Sequence, residues 1–218
     1  MTTTCSGADA IRFRPDSMDE AVFREQGRRD GYKLLPINDG DVVLDIGGHV
    51  GFFALYALAQ GASEVWSIEP DKANYEQGVK HTVGQPVRWT NQAVAAQDGF
   101  APFYRHTGRD LSGHSLVAYK GRVATTVRTV ALNRVISWME FDVVKVDIEG
   151  GEYGLDLSVL PASCRSLAVE LHLNRKAWRQ AAAPALVQGI EGDGWTAIRD
   201  PDIGADQRFW NTVGVWTR

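Results

Sequence analysis

The sequence predicts an α/β fold, a mostly parallel sheet with helices on both faces. Three observations predict it. Short apolar runs alternate with segments of helical pattern, the order that builds strand–helix–strand units. A glycine-rich turn, Gly47, Gly48 and Gly51, sits between the apolar run Val42–Leu44, with its terminal acid Asp45, and a helix-like segment, Phe52–Gln60. The link between the last two apolar runs, Arg199 to Arg208, carries Pro and Gly but no helical pattern. A parallel pair needs a longer crossover, so the last strand is expected to be antiparallel.

The elements follow in order. Residues 1–10 read as a disordered tail, and residues 1–40 as a tail and helical lid ahead of one domain over 41–218. Ser17 to Gln26 predicts a short helix, with Ser17 as cap and Glu20 completing a capping box. Pro36–Gly40 is a turn, and the YKLLP segment before it places Tyr32 in the lid. The unit 42–69 ends on a second apolar run, Val65–Ile68, closed by Glu69. Asp71–Val83 predicts a helix and Val87–Val94 a third strand. Residues 97–129, with alternating patches APFYRH and VATTVRTV, predict a β-hairpin-like insertion around a polar loop, Thr107–Ser115. A helix over Ala131–Met139 and a buried strand over Asp142–Val146 lead to Asp147. Leu167–Leu173 is a strand carrying Glu170 and His172, and Arg175–Glu191 a helix containing Pro184. Trp195–Ile198 and Phe209–Trp216 are the last strands, their tryptophans packing in the core.

With 218 residues and 44% hydrophobic content, the chain suits one sizeable domain. A net charge of −4 disfavours nucleic acid as a partner. Two cysteines, Cys5 and Cys164, make no disulfide framework, which points to a reducing, cytoplasmic compartment. The N-terminus has neither the basic start nor the apolar stretch of a signal peptide, and no apolar run reaches the ~20 residues of a membrane helix.

The glycine turn selects the ligand. It is Gly47-Gly48-His49-Val50-Gly51, not the G-x-G-x-x-G of dinucleotide sites. Asp45 ahead of it would repel a pyrophosphate. A cationic ligand without phosphates removes that conflict, and S-adenosylmethionine is one. In this reading Asp45 faces its cationic methionine end, and the glycine backbone passes close to the ligand. Glu69 accepts hydrogen bonds from the ribose diol.

DIGGHVGFFALYA, SIEPDKANYEQ, NQAVAAQDG, VRTVALNRVI and VVKVDIEGGEYGLDLSVL resemble, in order, the sequence blocks of the FkbM family of S-adenosylmethionine-dependent methyltransferases. The resemblance covers about residues 40–175. It implies a Rossmann-like class I methyltransferase fold, a seven-stranded sheet with an antiparallel last strand, and methyl transfer, usually to oxygen of a small molecule or sugar. Asp45, Gly47, Gly48, His49 and Gly51 then match the cofactor loop, Glu69 and Pro70 the ribose site, and Asn91, Gln92 and Ala93 the adenine site. Where the family carries Thr-Leu-Asp, this chain has Ala131-Leu132-Asn133.

Methyl transfer needs an oriented nucleophile and, for an alcohol, a proton acceptor. Candidates stand at the carboxyl ends of the strands: Asp147 and Glu149 after the fourth, Glu170 and His172 at the fifth. Glu170 and His172 share a strand face. Two arrangements are open: a metal-free site with Asp147, His172 and Glu170 as catalytic residues, or the same three holding a divalent ion such as Mg²⁺. The plainer alternative makes Glu170 a structural acid paired with Lys145. His114, Glu149 and Arg109 are candidate acceptor contacts. His49 is read mainly as a helix-start residue satisfied by backbone, with a ligand contact as the alternative. Competing functions are N-methylation of an amino-acid-like or nucleotide-like acceptor and a non-catalytic cofactor-binding module. A homodimer is compatible with the sequence.

Overall fold

The computed structural model describes residues 13–218 except 16, 29, 107–112, 119–120, 174–176, 202 and 204–210. The disordered-tail expectation therefore lies outside the described residues. The strands are β1 Val42–Ile46, β2 Glu64–Ile68, β3 Val87–Thr90, β4 Ala93–Ala95, β5 Gly99–Arg105, β6 Val123–Ala131, β7 Val143–Val146, β8 Ser166–His172, β9 Thr196–Arg199 and β10 Asn211–Thr217. The helices are α1 Asp19–Arg28, α2 Asp30–Lys33, α3 Phe52–Ala59, α4 Lys72–His81, α5 Leu132–Ile136 and α6 Ala177–Gly192.

Seven strands form one sheet in the order β3-β2-β1-β7-β8-β10-β9. Neighbours run parallel from β3 to β8, and β10 is antiparallel to both β8 and β9. Both faces of the sheet are covered, so its central strands are mostly apolar on both faces rather than alternating. Leu44, Ile46, Val144, Val146, Leu167 and Val169 build one core layer with Phe141, Trp195 and Trp216. Val43, Val65, Val143 and Ala168 build the other, under Phe53, Ala54 and Ala57 of α3. Trp210 lies outside the described residues. Register aligns Asp45 with Ser67 on one side and Lys145 on the other, which brings three polar side chains together under the glycine turn. Among the described residues, no helix is long and apolar enough to cross a membrane.

Two expectations are corrected. The third strand divides at Asn91. Its amide Nδ2 donates to the carbonyls of Glu69 (2.8 Å) and Pro70 (3.1 Å). Past it, Ala93–Ala95 pairs with β6 instead of β2. The insertion is then a second, three-stranded sheet, β4-β6-β5, whose β5 and β6 form the expected antiparallel pair. The capping box at Ser17 forms only in its serine half, with Ser17 Oγ accepting from Asp19 N–H at 3.2 Å. Ser17 Oγ donates to Arg14 O, and Glu20 pairs with Arg24 at 2.5 Å. Asp19, buried, instead takes the Arg14 guanidinium at 2.6 Å, and Arg14 also donates to Asn74 Oδ1 at 2.8 Å, which ties the start of α1 to α4.

Candidate active-site cleft

A cleft of about 210 Å³ opens over the carboxyl ends of β1, β2 and β7. One end is built around the glycine turn. Gly47 has φ +85°, and a Cβ there would stand 1.8 Å from the carbonyl oxygen of Asp147, so only glycine fits. The N–H groups of Gly47 and Gly48 donate to Ile68 O at 3.0 and 3.1 Å. This draws the turn against β2. Glu69 faces the cleft with both oxygens held by backbone: His49 N–H donates to Oε2 at 2.9 Å and Asp71 N–H to Oε1 at 2.8 Å. The carboxyl keeps free lone pairs and, when protonated, an O–H for the hydroxyls of a ligand. Burial pushes the Glu69 carboxyl up to about 8. Pro70, Ala93 and Val94 continue the wall.

Several expected cofactor contacts are corrected. Asp45 does not line the cleft. It is fully buried beneath the turn, 3.1 Å from Lys145 Nζ and accepting from Ser67 Oγ at 3.0 Å. Lys145 in turn donates to Gly47 O at 2.7 Å, so the acid supports the turn through the lysine. Gly48 and Gly51 pack toward Ser67, Thr82 and Trp89, where a Cβ would meet atoms at 3.0 to 3.2 Å. Among the described residues Asn91 and Gln92 stand outside the wall, Asn91 held by its bonds to the Glu69 and Pro70 carbonyls. His49 departs from its plainer reading: it lines the cleft at φ +47°, and neither buried ring nitrogen has a hydrogen-bond partner among the described residues. Burial first, then the Arg14 charge, lowers its pKa to about 4, so the ring is neutral.

The other end is acidic. Asp147, Glu149 and Glu170 line it with Tyr32 and Asn211. Tyr32 OH donates to Glu170 at 3.2 Å and Asp147 at 3.4 Å, and Asn211 Nδ2 donates to Glu170 at 3.1 Å. Glu170 thus takes Tyr32 and Asn211 where a Lys145 pair was the plainer expectation. Burial and the nearby carboxylates raise the Tyr32 pKa well above its ordinary value, which keeps the phenol a donor. Burial opposes charge on Asp147, but Lys145 at 3.5 Å outweighs it and holds the carboxyl below its usual range. Glu149 sits at φ +55°, a conformation that non-glycine residues hold only when their surroundings impose it.

His172 is corrected as well. It does not line the cleft and is 1% exposed. Its Nε2 lies 3.5 Å from Glu149, 3.8 Å from Asp147 and 3.9 Å from Glu170, and its Nδ1 lies 3.3 Å from Glu152. Burial alone would discharge the ring, but Glu149 and Glu152 raise its pKa well above the ordinary value. A histidine that keeps its proton is a poor general base. Ligand atoms of Asp147, Glu170 and His172 also lie within 4.8 Å of one another, a spacing that could hold a metal ion.

The insertion contributes His114 and Ser115 to the wall. Ser115 Oγ donates to the carbonyl of Glu149 at 2.8 Å. Arg109 lies outside the described residues.

The family model for the FkbM methyltransferase domain matches residues 45–175, more than half of the chain. The chain belongs to the FkbM methyltransferase family. No curated protein matches it in sequence. Among solved structures it is similar to the FkbM methyltransferase of Methylobacillus flagellatus KT (TM-score 0.57, 16% identity, 89% of this chain and 47% of that one). It is also similar to the precorrin-6y C5,15-methyltransferase of Geobacter metallireducens GS-15 (TM-score 0.50, 9% identity, 86% of each chain). These likenesses show the shared class I Rossmann-like fold. The chain spans about half the length of the Methylobacillus protein.

In this FkbM chain, two site residues carry no signal in the linear sequence. Glu152 is fully buried, accepting His172 N–H through Oε1 and Gly150 N–H through Oε2, both at 2.8 Å. It fixes the turn that carries Glu149 to the end of β8. Asn211 reaches the cleft from β10, opposite His172 in the antiparallel register. The tandem glycines of the DIEGGE block could have marked the turn that Glu152 ties.

Proposed function

We propose that the protein transfers a methyl group from S-adenosylmethionine to a hydroxyl oxygen of a small-molecule or sugar acceptor. One observation carries this reading: a single cleft joins a nucleoside cradle at Gly47 and Glu69 to a wall of hydrogen-bond-accepting carboxylates. The cradle fits the cofactor, because Glu69, held by two backbone N–H groups, presents free lone pairs and, when protonated, an O–H toward a diol. When bound, the cofactor supplies an electrophilic methyl group on a sulfonium. The chain's own residues bind and orient the acceptor. Asp147 and Glu149 accept hydrogen bonds from its hydroxyl groups, the carboxylate bonded to the reacting hydroxyl takes up the proton released on methylation, and Tyr32 and Asn211 hold Glu170 in place. His172 keeps its proton and offsets repulsion among the acids. An acidic wall on a chain of net charge −4 favours neutral or cationic acceptors over polyanions.

A second arrangement rests on the close approach of Asp147, Glu170 and His172. There a divalent ion such as Mg²⁺ would replace the His172 proton and lower the pKa of an acceptor hydroxyl. Mn²⁺ binding read by electron paramagnetic resonance, lost in Glu170→Gln, would support it; absence of binding in the native protein removes it.

The deciding experiment has two stages. Calorimetry with S-adenosylhomocysteine should show binding that Asp45→Ala abolishes by leaving Lys145 buried without its closest acid; a native protein that does not bind refutes the cofactor reading. Radiolabelled methyl transfer to a panel of sugars, polyols and amines then tests the acceptor. Incorporation into amines alone, unaffected by Asp147→Asn, would replace oxygen with nitrogen, which needs less help with proton removal.

A further inference from the structure

We propose that His114, carried by the insertion, hydrogen-bonds a ribose hydroxyl of the nucleoside held at Glu69, so that the insertion roofs the cofactor site. The inference rests on the cofactor reading above and adds a contact to it.

The placement follows from a short chain of contacts. Glu69 Oε1 accepts from Asp71 N–H at 2.8 Å, and Asp71 Oδ2 lies 3.2 Å from His114 Nδ1. The imidazole is therefore one residue's reach from the carboxyl that faces the diol. His114 lines the same cleft as Glu69 and is 7% exposed. Asp71 is itself immobilised. Its Oδ1 caps α4, accepting from Ala73 and Asn74 N–H at 2.9 and 3.0 Å, and Arg105 Nε stands 2.6 Å from Oδ2. Phe103 meets the ring edge-on at 6.0 Å, which sets its plane.

The chemistry follows from that placement. A fixed carboxylate opposite Nδ1 selects the tautomer with its proton on that nitrogen. Nε2 is then left with a lone pair pointing away from Asp71. Both ring nitrogens are buried without a hydrogen bond among the described residues, Nδ1 meeting Asp71 at ion-pair distance only. Leaving a buried polar atom unpaired costs more than one ordinary hydrogen bond returns. A hydroxyl donor from a ligand in the cleft removes that cost, and the hydroxyls expected beside Glu69 are those of a ribose. The residue expected from sequence to touch the acceptor is thus assigned to the nucleoside.

The test compares native protein with His114→Phe and His114→Gln by calorimetry, using S-adenosylhomocysteine, adenosine and 2′,3′-dideoxyadenosine as probes. His114→Phe should weaken S-adenosylhomocysteine and adenosine about tenfold, with His114→Gln recovering part of the loss. Dideoxyadenosine, lacking both hydroxyls, should bind native and His114→Phe protein equally. Unchanged thermal unfolding of the unliganded variants confirms that the pocket is intact. The inference fails if His114→Phe binds S-adenosylhomocysteine within about twofold of native protein, or loses the same factor toward the dideoxy probe. Native protein that binds none of the probes refutes the cofactor reading itself, a distinct outcome.

Discussion

At the nucleoside end of the cleft, the functional acid is held by the main chain: Glu69 takes N–H groups from His49 and Asp71. At the opposite end, proposed to take the acceptor, the acids are held largely by other side chains. Asp147 leans on Lys145, and Glu170 on Tyr32 and Asn211, while Glu149 and Glu152 flank His172. Backbone-held groups follow from local conformation and are rigid once the turn forms. Side-chain-held groups form a network in which removing one member leaves a buried partner unmatched. In the proposed reading, the first construction suits a constant methyl donor, and the second can be retuned for an acceptor.

The sharpest way to break the contrast is Gly47→Val. Its side chain cannot coexist with the Asp147 carbonyl, so S-adenosylhomocysteine binding should vanish in calorimetry. Stability should fall by roughly 3–5 kcal/mol in urea unfolding. Glu152→Ala comes next. Two buried N–H donors, Gly150 and His172, lose their acceptor, and stability should drop by about 2–3 kcal/mol. Cofactor affinity should hold while methyl transfer falls, and a matching loss of affinity would show the two ends to be one unit. Tyr32→Phe is milder, with methyl transfer reduced about tenfold, the worth of one hydrogen bond to a charged acceptor, and S-adenosylhomocysteine affinity unchanged.

A pH series tests the nucleoside end. Burial raises the Glu69 carboxyl from about 4.5 to about 8, so folding favours its protonated form. That contribution is complete below about 4.5 and disappears as the pH climbs through about 8. Native stability should therefore decline relative to Glu69→Gln between those limits; parallel curves would show that the carboxyl is ionised throughout. The smallest effect is expected for Asn91→Ala, about 1 kcal/mol from its two carbonyl contacts, with little change in S-adenosylhomocysteine affinity.

The same contrast explains what the sequence made legible. Strand, turn, helix and the acid at the end of β2 are neighbours in the chain, so Gly47, Glu69 and the parallel sheet could be read from spacing. Asp45 stood out as a charge beside a glycine turn but was read as facing a cationic ligand, whereas it lies buried under the turn. Its partner Lys145 lies about a hundred residues away, and only sheet register brings the two together. His172 looked like a base because its type and strand position suit one. The acids that hold its proton come from three separate segments, 147–149, 152 and 170. The division of the third strand at Asn91 was hidden because Val94 continues the apolar pattern after it.

The row formed by Asp45, Ser67 and Lys145 also bears on how the sheet assembles. All three face the layer under α3 in the native register. A slip of β1 by one residue would turn Asp45 toward the layer of Leu44 and Ile46 and strip Lys145 of its nearest carboxylate. Such a sheet would bury two unmatched charges and be heavily disfavoured. The groups that support the glycine turn therefore also proofread strand pairing, and a chain that folds in the wrong register is penalised before it can present a half-formed site.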